Sequence, residues 1–136
     1  SSSQYGITIA TNDVTLDLDG HALVGVPGSY SGVRINSGIS RVAIRNGMIH
    51  DWGYRGVDGG SGSYQTLSDL QVCTNGNSVG YNGVNIGDHS TVRDCVIVGN
   101  GNDGMYAEDG CTISHCTFAK NGARGLSARA VVMPCL

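Results

Sequence analysis

Apolar and polar residues alternate along this chain in short bursts separated by polar, glycine-bearing turns. "GVRIN" (32–36), "GVNIG" (83–87) and "GMYAE" (104–108) each set apolar side chains on one side of a strand with a polar one between them. "RVAIRNGMI", "TVRDCVIV" and "CTISHCTFA" repeat the alternation after a turn. No stretch keeps a helical period over three turns, and two-residue alternation bounded by turn residues predicts strands. The bursts recur: Gly6-Ile7, Gly32-Val33, Gly56-Val57, Gly83-Val84, Gly104-Met105 and Gly125-Leu126 open equivalent units 21 to 27 residues apart. A unit of this size cannot bury its apolar side alone and must stack on its neighbours. Strands one unit apart run the same way, and crossovers between parallel strands favour the right hand. The pattern therefore predicts an all-β chain, a single-stranded right-handed parallel β-helix of five to six rungs spaced ~4.8 Å apart.

The register fills in the interior. Val33 and Ile35, Val84 and Ile86, Met105 and Ala107, and Leu126 and Ala128 fall on one inward face. Val42, Ile44, Val92 and Ile113 form a second set. Leu70, Cys95 and Cys116 form a third, followed two residues on by Ile49, Val72, Ile97 and Phe118. Asn75, Asn100 and Asn121 share one turn position, each followed by glycine, and stacked amides there predict an asparagine ladder. The glycines are expected to supply the positive φ of these turns. Trp52-Gly53 takes the position in an earlier rung and is expected to break the ladder. "GHALVGVPGSYSG" and "GGSGSYQ" read as turn insertions. Asp103 and Arg124, each one residue before a marker glycine, predict a cross-rung ion pair.

Composition narrows the picture. There are 22 glycines against 2 prolines, and 8 basic against 11 acidic residues, net −3. Many tight turns and no basic stripe follow, so no nucleic-acid partner is expected. No apolar run approaches the ~20 residues of a membrane span. The expectation is one domain over residues 1–136, with 130–136 as a tail or cap. The lack of a starting Met leaves open a fragment of a longer chain. The five cysteines, Cys73, Cys95, Cys111, Cys116 and Cys135, show no CxxC pair for zinc. Cys95 and Cys116 stand inward on adjacent rungs, where ~4.8 Å exceeds the usual ~3.8 Å between the Cβ atoms of a disulfide. A buried thiol stack is preferred to a bridge. Cys73 and Cys111 are placed nearer turns.

"GITIATNDVTLDLDGHALVG" followed by "GVRINSGISRVAIRNGMIHDWG" resembles the pectate-lyase-like superfamily of right-handed parallel β-helices, in particular its NosD-like, or right-handed β-helix region, group. The likeness runs over nearly the whole chain. It implies the fold, an extracellular or periplasmic setting, and a saccharide groove on the first parallel sheet. Activity varies across that superfamily, so the fold alone assigns none.

The outward positions of the first strands carry the candidate chemistry. Thr8, Arg34, Asp58, Asn85, Tyr106 and Ser127 fall two residues after the marker glycines. Ala10, Asn36, Gly60, Gly87, Glu108 and Arg129 fall four after them. Stacked, they make a mixed face suited to a polysaccharide, with plain solvated surface as the alternative. For a lyase of the kind the resemblance implies, Tyr106 would act as acid or base, with His89 as a second candidate base. Arg34 or Arg129 would neutralise a uronate carboxylate. For a hydrolase, Asp58 and Glu108 would stand two rungs apart, ~10 Å, at the edge of the inverting range. Asn36, Asn85, Ser127 and Arg129 would bind substrate. Asp88 and Asp109, like charges on adjacent rungs beside Glu108, would be relieved by Ca2+. Tyr30, Tyr54, Tyr64, Tyr81 and Trp52 gather in turns, where they would stack on sugars or shield the coil. His115 reads as a satisfied turn residue, and His21 and His50 as turn residues with no evident partner. The leading expectation is a carbohydrate-interacting β-helix, a polysaccharide lyase or related enzyme. The rival is a non-catalytic surface or assembly module, homo-oligomeric through its ends or faces. Short turns favour the rival. A regular Thr-x-Thr ice-binding face and a GxSxG elbow around Ser127 are both absent from the pattern.

Overall fold

The structure is a computed structural model that describes residues 4–77 and 80–133. Cys135, with the rest of 134–136, lies outside the described residues. Within them the chain forms fifteen strands and no helix. In order these are β1 (Ile7–Ile9), β2 (Val14–Asp17), β3 (Ala22–Val24), β4 (Val33–Ile35), β5 (Val42–His50), β6 (Val57–Ser63), β7 (Thr66–Cys73), β8 (Val84–Asp88), β9 (Thr91–Arg93), β10 (Val96–Val98), β11 (Met105–Ala107), β12 (Cys111–Ser114), β13 (Thr117–Ala119), β14 (Leu126–Ala128) and β15 (Val131–Val132).

All pairings are parallel and wind into a coil with three faces. Face 1 is the sheet β1-β4-β6-β8-β11-β14. Face 2 contains β2, the first half of β5, the first half of β7, β9, β12 and β15. Face 3 contains β3, the second halves of β5 and β7, β10 and β13. The register is the one the marker glycines predict, with Val33 beside Val57, Val57 beside Val84, Val84 beside Met105 and Met105 beside Leu126. Inward Val33, Ile44, Ile49, Val84, Ile86, Ile97 and Met105 are fully buried. Stiff β-branched side chains suit this narrow core because few rotamers are lost on packing.

The bends between faces are single left-handed residues, stacked in columns. Asp13, Arg41, Tyr64, His89 and Gly110 form the corner from face 1 to face 2. Asn46, Asp69, Asp94 and His115 turn the chain to face 3, and Asp51, Thr74, Gly99 and Lys120 turn it out again. Eleven of these thirteen residues are not glycine. The expectation for the Asn-Gly turns holds at Gly76, with φ 70°, and is corrected at Gly101 and Gly122. At all three turns the residue before the asparagine, Thr74, Gly99 or Lys120, takes positive φ. Gly101 and Gly122 serve a different need. A Cβ on Gly101 would press into the carbonyl oxygen of Gly76 one rung back, and one on Gly122 into that of Gly101.

The asparagine amides are joined along the axis. Asn75 Nδ2 donates to Asn100 Oδ1 at 3.2 Å, and Asn100 Nδ2 to Asn121 Oδ1 at 3.1 Å. Each Nδ2 also donates to the carbonyl of the preceding rung, at Ile49, Val72 and Ile97. Trp52 does not simply interrupt this column. Its indole Nε1 donates to the Leu23 carbonyl at 3.1 Å, and its backbone N–H donates to Asn75 Oδ1 at 3.1 Å. Leu23, Ile49, Val72 and Ile97 share one register position, so the indole makes the bond that asparagine makes elsewhere. Gly6 and Gly32 leave the space its ring needs.

One insertion and one cysteine also differ from expectation. "GGSGSYQ" is mostly strand: β6 runs to Ser63 with a register irregularity between Gly59 and Ser63. Buried Gln65 turns inward there, donating from Nε2 to the Gly59 carbonyl at 2.6 Å and accepting from Gly87 N at 3.2 Å. Cys111, placed near a turn by its sequence, is a fully buried inward residue of β12.

Two substitutions test this account by urea unfolding. Gly101→Ala is expected to cost about 1–3 kcal/mol, because the added carbon overpacks the rung contact. Lys120→Gly is expected to add up to about 1 kcal/mol by relieving the left-handed strain of a non-glycine residue. An unchanged midpoint for Gly101→Ala would show that the rungs are not in tight axial contact.

Candidate functional site

Face 1 carries the outward rows as the spacing predicts. Thr8, Arg34, Asp58, Asn85, Tyr106 and Ser127 stand side by side across six strands. Asp58, Asn85, Tyr106 and Ser127 are half-buried, and Thr8 and Arg34 are exposed. In the second row Glu108 is half-buried and Arg129 exposed, Asn36 and Gly60 are half-buried, and Gly87 is buried.

The charged members are engaged with neighbours. Arg34 donates from Nη1 to the Tyr5 hydroxyl at 2.8 Å, and its guanidinium lies 4.8 Å from the centre of the Tyr5 ring. Asp58 faces Arg55, Nη1 to Oδ2, at 3.3 Å. Arg55 Nε also reaches the Asn85 amide oxygen at 3.2 Å, in the amide orientation that satisfies both groups. Glu108 faces Arg129, Nε to Oε2, at 3.3 Å. The Glu108 carboxylate, and then the Tyr106 hydroxyl, push the Arg129 pKa above its ordinary value. Tyr106, Glu108 and Arg129 therefore come together. Arg34 stands three rungs from Tyr106, ~14 Å at the strand spacing, and Asp58 stands two rungs from Glu108.

Tyr5 and Arg55 are members of this face that the spacing did not single out. Each sits one residue before a marker glycine, a position read as turn. The i,i+3 relation of Arg55 to Asp58 is the signal that could have found the second. The position has its own axial bonding. Arg55 N donates to Ser31 Oγ, Asp103 N to Asn82 Oδ1 and Arg124 N to Asp103 Oδ1, at 3.0 to 3.3 Å. Asp103 thus holds Arg124 first through its backbone, with the guanidinium 4.0 Å away.

Tyr5, Tyr30, Tyr54 and Tyr81 form a continuous stack just before the face 1 strands. Their ring centres are 5.1, 4.9 and 4.4 Å apart. Arg34 lies over Tyr5 and Arg55 over Tyr81. These rings use their faces on each other, and neighbouring phenols push the Tyr54 hydroxyl above its ordinary pKa.

Asp88 relieves its repulsion from Asp109 through the backbone, accepting from Asp109 N at 3.2 Å. Glu108 is turned to Arg129. Among the described residues no group of three or more His, Cys, Asp or Glu side chains is placed to hold a metal ion. His50 has a partner after all: Nδ1 lies 2.8 Å from Asp51 Oδ2. Asp51 is held below the usual carboxylate range, first by the Thr74 hydroxyl at 2.6 Å and then by His50. His21 Nδ1 meets the Asp19 carbonyl at 2.9 Å, and His115 is a left-handed bend. Two cavities, of about 580 and 140 Å³, border Trp52. None of Arg34, Asp58, Asn85, Tyr106 or Glu108 lines either.

Cys73, Cys95, Cys111 and Cys116 are free thiols. Cys95 and Cys116 are neighbouring thiols on adjacent rungs, each also placed on a backbone carbonyl, Arg93 O at 3.3 Å and Ser114 O at 3.3 Å. The Cys95 S–H stabilises the Cys116 thiolate and brings its pKa down to about 7. The same interaction, with burial, drives Cys95 up. Burial raises Cys73 and Cys111. In a Cys135→Ser background, Cys116 is therefore expected to alkylate first among these four, with a midpoint near pH 7, and Cys95→Ala should move that midpoint upward. A Cys116 midpoint that stays put in Cys95→Ala would remove the thiol pair as the cause. Because the folded pKa is depressed, the thiolate's stabilisation is present above the ordinary thiol range and fades as pH falls through about 7.

Compared with known proteins, residues 1–130 match the family model described as the right handed beta helix region. No curated protein and no solved structure matches the chain.

Proposed function

The chain belongs to the right-handed β-helix family, and from that architecture we propose a non-catalytic polysaccharide-binding protein that grips its ligand along the outward rows of face 1. The observation that supports this is the unbroken one-rung register of Arg34, Asp58, Asn85, Tyr106 and Ser127. Evenly spaced donors and acceptors suit a polymer of repeating hydroxyl-bearing units. Pairing with neighbours restrains these side chains before a ligand arrives, which lowers the entropy lost on binding. A polymer of this kind implies an extracellular or periplasmic setting.

Catalysis asks for something else. Proton abstraction beside a uronate needs a base, an acid and an available cation converging on one carbon. Here Arg34 is held by Tyr5 far from Tyr106, and Arg129 is taken by Glu108. Hydrolysis needs two carboxylates flanking one bond, whereas Asp58 and Glu108 each face their own arginine on different rows.

The test is co-sedimentation and titration with acidic and neutral polysaccharides, with Ca2+ or chelator, while following ultraviolet absorbance of unsaturated ends and reducing sugar. Binding indifferent to chelator, without either product signal, is expected. Tyr106→Ala and Arg34→Ala should each weaken it about three- to tenfold, the range of one lost charged or aromatic contact. Calcium-dependent absorbance would instead make the protein a lyase, and new reducing ends would point to Asp58 and Glu108 as a hydrolytic pair. No binding to any polymer would overturn the reading in favour of a surface or assembly module.

A further inference from the structure

The corner from face 1 to face 2 carries two rings with no counterpart elsewhere in its column. Arg41 clasps Asp13 through two bonds, at 2.6 and 3.2 Å, and Gly110 has no side chain. Between them Tyr64 and His89 stack with ring centres 5.4 Å apart and planes 19° apart. Tyr64 still keeps 57% of its surface exposed. His89 covers one face of the phenol, and on the other side the next residue of the column is Arg41, whose guanidinium is drawn to Asp13. The four tyrosines on the opposite flank of face 1 are half-buried and lie tilted against one another.

Nothing in the coil calls for a ring at this corner. Gly110 makes the same left-handed bend two rungs beyond Tyr64, and a bulky residue there carries about 1–2 kcal/mol of strain that glycine avoids. The surroundings offer what a sugar's hydroxyls require. Ser63 lies in register with exposed Asp88 and bridges Ser40 on the rung before. Asp88 gives only Oδ1 to Asp109 N. A Cβ at Gly38, whose N–H donates to the Ser61 carbonyl of the next rung, would meet nothing within 4 Å. Asp88 and Asp109 make this end of the face acidic, Glu108 being turned to Arg129, and Asp13 already holds Arg41, the cation of the column.

We infer that Tyr64, backed by His89, is a stacking subsite for a neutral pyranose ring, with Asp88 accepting from the sugar's hydroxyls. A carboxylate-bearing sugar would be repelled there. This rests on the polysaccharide-binding reading of face 1, at whose exit edge Tyr64 lies.

The experiment is titration of the wild type, Tyr64→Ala, Tyr64→Gly and Tyr64→Trp with soluble hydroxyethyl cellulose, mannan and polygalacturonate. Thermal melts confirm folding, and Tyr64→Gly suits the left-handed corner if alanine does not. The expected result is tighter binding of a neutral polymer by wild type. It should weaken about five- to tenfold on loss of the ring and be retained or tightened by tryptophan. Wild-type binding that is the same in Tyr64→Ala and Tyr64→Gly overturns the subsite and leaves the face 1 reading standing. Preference for polygalacturonate independent of Tyr64 does the same. Failure of wild type to bind any of the polymers overturns the face 1 reading and the subsite together.

Discussion

Backbone hydrogen bonds that run along a single axis oblige every residue to stand beside its counterpart one turn away. Most of the structure follows from that obligation. An inward position is apolar in nearly every rung, because the rung above and below closes over it, and the inward polar Gln65 is bonded to backbone. A bend is left-handed in most rungs, because each bend must follow the one it is stacked on. The corners therefore appear as columns, and residues as unsuited as Tyr64, His115 and Lys120 adopt positive φ. Their strain is borne by the strand pairing on either side.

The same stacking turns side-chain amides and hydroxyls into axial connectors. Asn75, Asn100 and Asn121 satisfy backbone groups of the neighbouring rungs, and Ser31, Asn82 and Asp103 accept from the backbone at the position before each marker glycine. Among the described residues no buried side-chain polar atom lacks a partner. Trp52 shows that the column selects a donor in the right place more than an amide as such. An indole N–H serves where two glycines make room for its ring.

On face 1 the obligation sets charge beside charge. Arg34, Asp58, Asn85 and Tyr106 are neighbours by register, yet Arg34 and Asp58 find their partners in the turn before the strand, at Tyr5 and Arg55, and Glu108 and Arg129 pair within the second row. These pairings hold the groups as a fixed polar relief. The proposed recognition of a polymer rests on that relief.

The period of the marker glycines and the alternation between them determined the rungs, the inward columns and the outward row, because strand alternation is local and parallel stacking carries it unchanged from unit to unit. Arg34, Asp58, Asn85, Tyr106 and Ser127 could be placed together from the chain alone for that reason. Which atoms meet was decided only by the tertiary structure. At the Asn-Gly turns the residues before the asparagines took positive φ, while Gly101 and Gly122 after them did not. Trp52 found Leu23, Arg34 found Tyr5, Asp88 found the Asp109 N–H, and Tyr64 found His89. Such partners lie 21 to 29 residues away. Their meeting depends on corner angles and on the size of the residue in the next rung, and neither is written in the alternation of the strands.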